Sequence, residues 1–189
     1  MFKDFFKVSV ILALCTTAFV LTSCDKDDDS KTEVCPYNSL EGQYVGHEQI
    51  LGEWNGTQVL DAPIENAQFL ILADEKKNTL SVVVPEIKDL VIEQKNFTIN
   101  MPSFTIEGLE TYYSEDSWMS IVFGCDYEIA EVECDLGRGT GKYPCSGHAA
   151  IRVKDFNPQS GVELEYTFKL GSMPFSLKAD VFGVKKENK

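Results

Sequence analysis

Two histidines are the only side chains of this 189-residue chain that titrate near neutral pH without help from their surroundings. His47 is followed by Glu48 in a stretch that reads as a strand, where adjacent side chains point to opposite faces. His148 follows Ser146-Gly147, but the G-x-S-x-G elbow of serine hydrolases is absent, so a triad of Ser146, His148 and an aspartate exists only on paper. Glycoside hydrolysis needs two carboxylates about 5–10 Å apart across a cleft. Glu107, Glu110, Glu115 and Asp116 are loop or strand-end acids beside Tyr112, Tyr113 and Trp118, an arrangement that also grips sugars without cleaving them. Cys145-x-x-His148, with Cys134 upstream, has metal-ligand spacing. Gly137 to Lys142 resembles a phosphate loop, but Leu136 stands where the Walker pattern needs glycine and Tyr143 where it needs serine or threonine. Asp25 to Asp29 fails as a calcium loop, because Ser30 replaces the required glycine. These patterns assign no catalytic residue, no metal and no cofactor.

The first thirty residues carry more information. Lys3 and Lys7 precede an apolar run from Val8 to Leu21, which is shorter than the roughly 20 residues of a membrane span and suits a secretory signal. Leu21-Thr22-Ser23-Cys24 resembles the lipobox of bacterial lipoproteins. That resemblance implies removal of residues 1–23 and acylation of Cys24, with residues 24–37 as a lipidated acidic tether. Two or more acyl chains anchor a protein stably where one does not. Lys26-Asp27-Asp28-Asp29 resembles the tag that sends lipoproteins of the Bacteroidota to the outer leaflet of the outer membrane, and the same charge run is also a solvated tether. The expected address is the outer membrane, lipid-anchored and facing outward.

The formal charge of −13 becomes −14 once Lys3, Lys7 and Asp4 leave with the signal, a net loss of +1. Such a chain lacks the cations that hold phosphate backbones, which excludes nucleic acid as a partner. Of six cysteines, Cys15 is removed and Cys24 acylated. The remaining Cys35, Cys125, Cys134 and Cys145 suit two disulfides in an exported protein, with three connectivities open. The favoured pairing is Cys134 with Cys145 across the glycine-rich loop and Cys35 with Cys125, ahead of a Cys125–Cys134 link.

The elements that must position these groups are strands. Val162, Leu164, Tyr166, Phe168 and Leu170 alternate with polar residues, and Phe175, Leu177, Ala179 and Val181 do the same after Gly171-Ser172-Met173-Pro174. Further strands are read at 43–50, 58–60, 66–73, 79–84, 89–93, 97–101, 117–123, 127–132 and 147–156, with a helical turn allowed at Ile87 to Val91. This spacing predicts an all-β fold, an up-and-down barrel of about eight to ten strands or alternatively a sandwich, in one domain over residues 38–186.

Leu40 to Gly46 (with its Tyr-Val-Gly), Asn78 to Ser81 and Pro102 to Gly108 resemble the strands of calycin-like, lipocalin-type lipoproteins of the Bacteroidota. The insert from Cys125 to Cys145 departs from that pattern. The resemblance implies a monomeric, closed antiparallel barrel that is not an enzyme and holds a small apolar ligand. Phe69, Phe123, Tyr166 and Phe168, inward on their strands, and Tyr112, Tyr113 and Trp118 are the candidate ligand-binding residues. The alternatives are a loop surface that contacts a protein or glycan and, third, a hydrolase built on His148 or paired carboxylates.

Overall fold

The structure, a computed structural model, describes residues 37–92, 97–112, 120–154 and 157–187. The signal and tether, Cys24 and Cys35, Tyr113, Trp118, Glu115 and Asp116, and the side chain of Tyr112 lie outside the described residues.

One helical turn, α1 (Tyr37–Leu40), leads into ten strands: β1 (Gly42–Trp54), β2 (Thr57–Asp74), β3 (Thr79–Val83), β4 (Ile87–Ile92), β5 (Phe97–Met101), β6 (Thr105–Tyr112), β7 (Ser120–Asp135), β8 (Thr140–Lys154), β9 (Val162–Leu170) and β10 (Leu177–Lys185). Eight of them close an antiparallel ring in the order β1-β2-β3-β6-β7-β8-β9-β10, and β10 returns to β1 from Tyr44↔Lys185 to Gly52↔Leu177. The barrel is therefore the up-and-down form read from the sequence, and the sandwich is excluded. The β4–β5 hairpin is inserted between β3 and β6 and touches the ring's ladder at Asn100↔Asp135. Residues 87–91, read as an optional helical turn, lie in strand β4, with an irregularity at Asp89 (φ 51°).

Alternation drives the closure. Val162, Leu164, Tyr166, Phe168 and Leu170 are buried while their neighbours reach water, and β10 repeats the pattern. Between β1 and β2, Asn55 (φ 52°) and Gly56 (φ 73°) both take the left-handed conformation. That is the two-residue turn whose twist matches a hairpin, and Asn-Gly is its preferred sequence.

Two bulges switch the parity of the inward row. On β2, Asn66 (φ 59°) is the extra residue between Gly46↔Ala67 and His47↔Glu65. Phe69 and Ala67 face the core on one side of it, and Ile64 and Leu60 on the other. Gly46, opposite, has no room for a side chain, since a Cβ there would meet the Phe182 carbonyl oxygen at 1.8 Å. On β7 the shift falls between Ile129 and Val132. The β2 switch lies where two short strands (58–60 and 66–73) are read and one long one forms, whereas on β7 the readings 117–123 and 127–132 join through Gly124 to Asp126, ahead of the shift. The cysteine-bearing insert is the β7–β8 hairpin and leaves the strand order of the barrel unchanged.

No disulfide is formed among the described cysteines. Cys125, Cys134 and Cys145 are free thiols, which corrects the expected Cys134–Cys145 staple. The register gives the reason: Cys134 lies opposite Gly141 and Cys145 opposite Ile129. Four residues of β8 thus separate the partner positions, about 13 Å of strand, whereas a bridge needs Cα atoms about 4.4–6.8 Å apart.

Aromatic rings meet one another inside the barrel. Tyr44 stacks on Phe69 (5.0 Å between centroids) and Tyr166 on Phe168 (5.7 Å). At the end where β1 begins, Leu40 is fully buried and Tyr37 meets Phe123 edge-on at 5.3 Å, so α1 covers that mouth. Truncating Phe168 to alanine is expected to cost about 3–5 kcal/mol in denaturant melts, whereas Lys169→Ala on the wet face of β9 stays within about 0.5 kcal/mol.

Candidate functional site

The inward row of β1 runs Tyr44, Gly46, Glu48, Ile50 and Gly52, placing a carboxylate where its neighbours are apolar. Glu48 is 1% exposed and is the one charged residue among the buried described residues. Its Oε1 accepts a hydrogen bond of 2.7 Å from the Tyr166 hydroxyl on β9. Its Oε2 has no hydrogen-bond partner among the described residues. Burial pushes the Glu48 carboxyl up to about 7, against the opposing pull of the Tyr166 hydrogen bond. Tyr166 is held well above the usual tyrosine range by its own burial and then by the Glu48 charge.

Other polar groups continue the row. The Tyr127 hydroxyl on β7 donates to the Thr167 carbonyl at 2.8 Å. Burial raises Tyr127, and Cys145 lies close enough to interact with both Tyr127 and Tyr166. Burial also raises Cys134 to about 11, and raises Cys145 and Cys125. Thiolates form only with difficulty at these positions, so the cysteines are inert.

Of the candidate ligand residues, Phe69, Phe123, Tyr166 and Phe168 are all buried in the barrel, as their inward positions require. Phe69 stacks on Tyr44, Phe123 meets Tyr37 and Phe168 stacks on Tyr166, whose hydroxyl goes to Glu48. Glu48 was missed by a reading that looked at His47 beside it. The signal was available, since an inward position between Tyr44 and Ile50 on an alternating strand is an unusual place for glutamate.

The remaining candidates do not converge. His47 is exposed on the outer face against the Phe182 ring. His148 also faces outward, its Nδ1 2.9 Å from Asp126 Oδ1, and both groups are solvent-accessible. The two histidines border one outer depression of about 420 Å³ with Arg152, Glu163 and Glu165. Cys145 points inward and His148 outward, because three residues separate them on β8, so their metal-ligand spacing brings no ligands together. Glu107 and Glu110 lie exposed on β6.

The half of β2 nearest its start has a free edge. Its ladder with β3 begins only at Leu70, so Thr57 to Phe69 pair with β1 alone among the described strands. β4 runs beside that edge and pairs on its other side with β5. Two grooves of about 710 and 720 Å³ follow this seam, and Ile64 and Lys88 line both. Ile64 is the register partner of Glu48, so the two side chains share the inner face. The carboxylate therefore sits one residue behind the seam.

No family model and no curated protein matches the chain. A solved structure from Bacteroides fragilis, provisionally named an outer membrane protein, is similar in fold, with a TM-score of 0.55 at 18% sequence identity. The match covers 81% of this chain and 53% of that one, so the chain spans about half the length of its structural neighbour.

Two measurements test the site. Glu48 binds its proton more tightly in the folded state than at the ordinary 4.5, so its contribution to stability falls as pH rises from about 4.5 to about 7. Replacing it as Glu48→Gln removes that slope. The variant's gain over the wild type is expected to be larger at pH 8 than at pH 5, by about 3 kcal/mol at most, read from denaturant midpoints at the two pH values. Iodoacetamide labelling checks the thiols: Cys134 and Cys145 should label only after unfolding, without prior reduction.

Proposed function

We propose that this protein is a lipid-anchored binding module of the outer membrane, facing outward, which holds a small apolar molecule in its barrel and does not transform it. The observation that carries this reading is a closed barrel with an apolar interior that buries a carboxylate, one oxygen of which has no hydrogen-bond partner among the described residues. An apolar lining with a few placed polar groups is the usual make-up of a small-molecule site. The anchor reading rests on the lipobox-like Leu21 to Cys24, and the name of the Bacteroides fragilis neighbour agrees with that address. The Asp126–His148 pair is exposed to water, which does not favour it as the acid–base pair of a hydrolase.

Native mass spectrometry of the full-length protein, extracted in mild detergent from its own cells, tests both halves. The expected result is a reproducible extra mass lost on denaturation, together with an acylated N-terminal peptide that starts at Cys24. A mass equal to that of the acylated chain alone overturns the ligand, and an unmodified Cys24 overturns the anchor.

A further inference from the structure

We propose that the ligand is an apolar monocation, an aliphatic ammonium whose charged head pairs with the open oxygen of Glu48 and which enters through the seam between β2 and β4. This deepens the binding-module reading and rests on it.

The head group follows from what Glu48 lacks. Above about pH 7, where Glu48 is ionised, it only accepts hydrogen bonds, so whatever completes it there must donate. Tyr166 fills Oε1, and Oε2 is left bare inside an apolar wall. A buried charge is tolerable when paired, and no lysine, arginine or histidine is buried among the described residues. A neutral alcohol supplies the missing hydrogen bond but leaves the charge uncompensated. An anionic head such as a fatty acid meets like charge. An ammonium supplies both the donor and the opposite charge, and such charge-assisted bonds are the strong ones.

The route follows from the ladder. Elsewhere in the ring β1, β10, β9, β8 and β7 follow one another in long ladders, β6 meets β7 only from Glu110 to Tyr112, and α1 covers the mouth where β1 begins. Along the seam, β2 from Thr57 to Phe69 has no ladder partner on its β4 side among the described residues. The two seam grooves bring Asp61, Glu65, Glu86 and Asp89 to the rim against Lys88, which is already paired with Glu86 at 2.8 Å. A rim of this sign attracts cations and repels anions. Behind it, Ile64, which lines both grooves, is the register partner of Glu48. A small apolar body can displace one partly buried isoleucine far more readily than it can part a ladder.

The test compares three probes with the same ring and different heads. Cyclohexylammonium, cyclohexanol and cyclohexanecarboxylate are titrated calorimetrically at pH 8 into the full chain held in nanodiscs, with empty discs subtracted. The expected result is that the ammonium binds about tenfold or more tighter than the alcohol, that the carboxylate binds weakest, and that Glu48→Gln erases the difference between ammonium and alcohol. Equal affinities for ammonium and alcohol, or a preference that survives in Glu48→Gln, overturn the head-group assignment while leaving the barrel as a binding site. Binding of none of the three overturns the binding-module reading itself. Entry is tested separately: Ile64→Trp should slow ammonium association several-fold and Ile64→Ala should speed it. Unchanged association rates in both variants overturn the seam as the route.

Discussion

Closure of the ladder by β10 against β1 is the constraint from which the rest of this structure descends. Once the ring is shut, every residue of its strands faces either a dry interior or water, and a shift of one position exchanges the two. Nine register pairs fix that choice for β1, from Tyr44 to Gly52. The same register that buries Tyr44 and Ile50 leaves Glu48 no outward alternative, and it leaves His47 no inward one. The outer face can then be strongly charged without cost to the core. Lys178 bridges Glu165 and Asp180, and Arg152 and Lys154 meet Glu163, all on the wet side of the last three strands.

A carboxylate held inside such a ring is expensive. Its charged form loses solvation, and a single tyrosine hydroxyl restores only part of it, which is why the group stays largely protonated up to near neutrality. A leucine in its place would pack without that cost. The unspent oxygen means that stability has not been optimised at this position, and a binding partner that pairs with it would return the lost free energy on association. Site and instability therefore share one cause, the partial solvation of one side chain.

The barrel was legible because period two is a strong signal where it persists. β9 and β10 keep it for their whole length, and their pairing follows the sequence reading closely, though β10 begins at Leu177 and not at Phe175. The long strands were harder. Asn66 on β2 changes the parity of the inward row, so a reader of alternation sees a strand stop and another begin, whereas β7 keeps its parity through Gly124 to Asp126 and its continuity there was hidden by residues that read as a turn. The cysteines misled for a related reason: flanking a glycine-rich loop resembles being opposed across it, and only the register tells the two apart. Glu48 was hidden by composition, since a row of Tyr, Gly, Glu, Ile and Gly dilutes the apolar signal to the point where its polar member attracts no notice.

The positions of the aromatic residues decide where in the barrel chemistry can happen. Tyr44 and Phe69 stack, Tyr37 and Phe123 meet edge-on, and the Tyr44 hydroxyl ties to the Leu40 carbonyl at 2.8 Å. Lys185 fastens the same end by donating to the Ser39 carbonyl at 2.9 Å. This mouth is closed by interlocking rings and hydrogen bonds, and opening it would require several contacts to break together. The inserted β4–β5 hairpin does the opposite at the free half of β2, where it lies alongside the strand without joining its ladder. Separating two unbonded edges disturbs side-chain packing alone, a smaller and more local cost than unpairing strands.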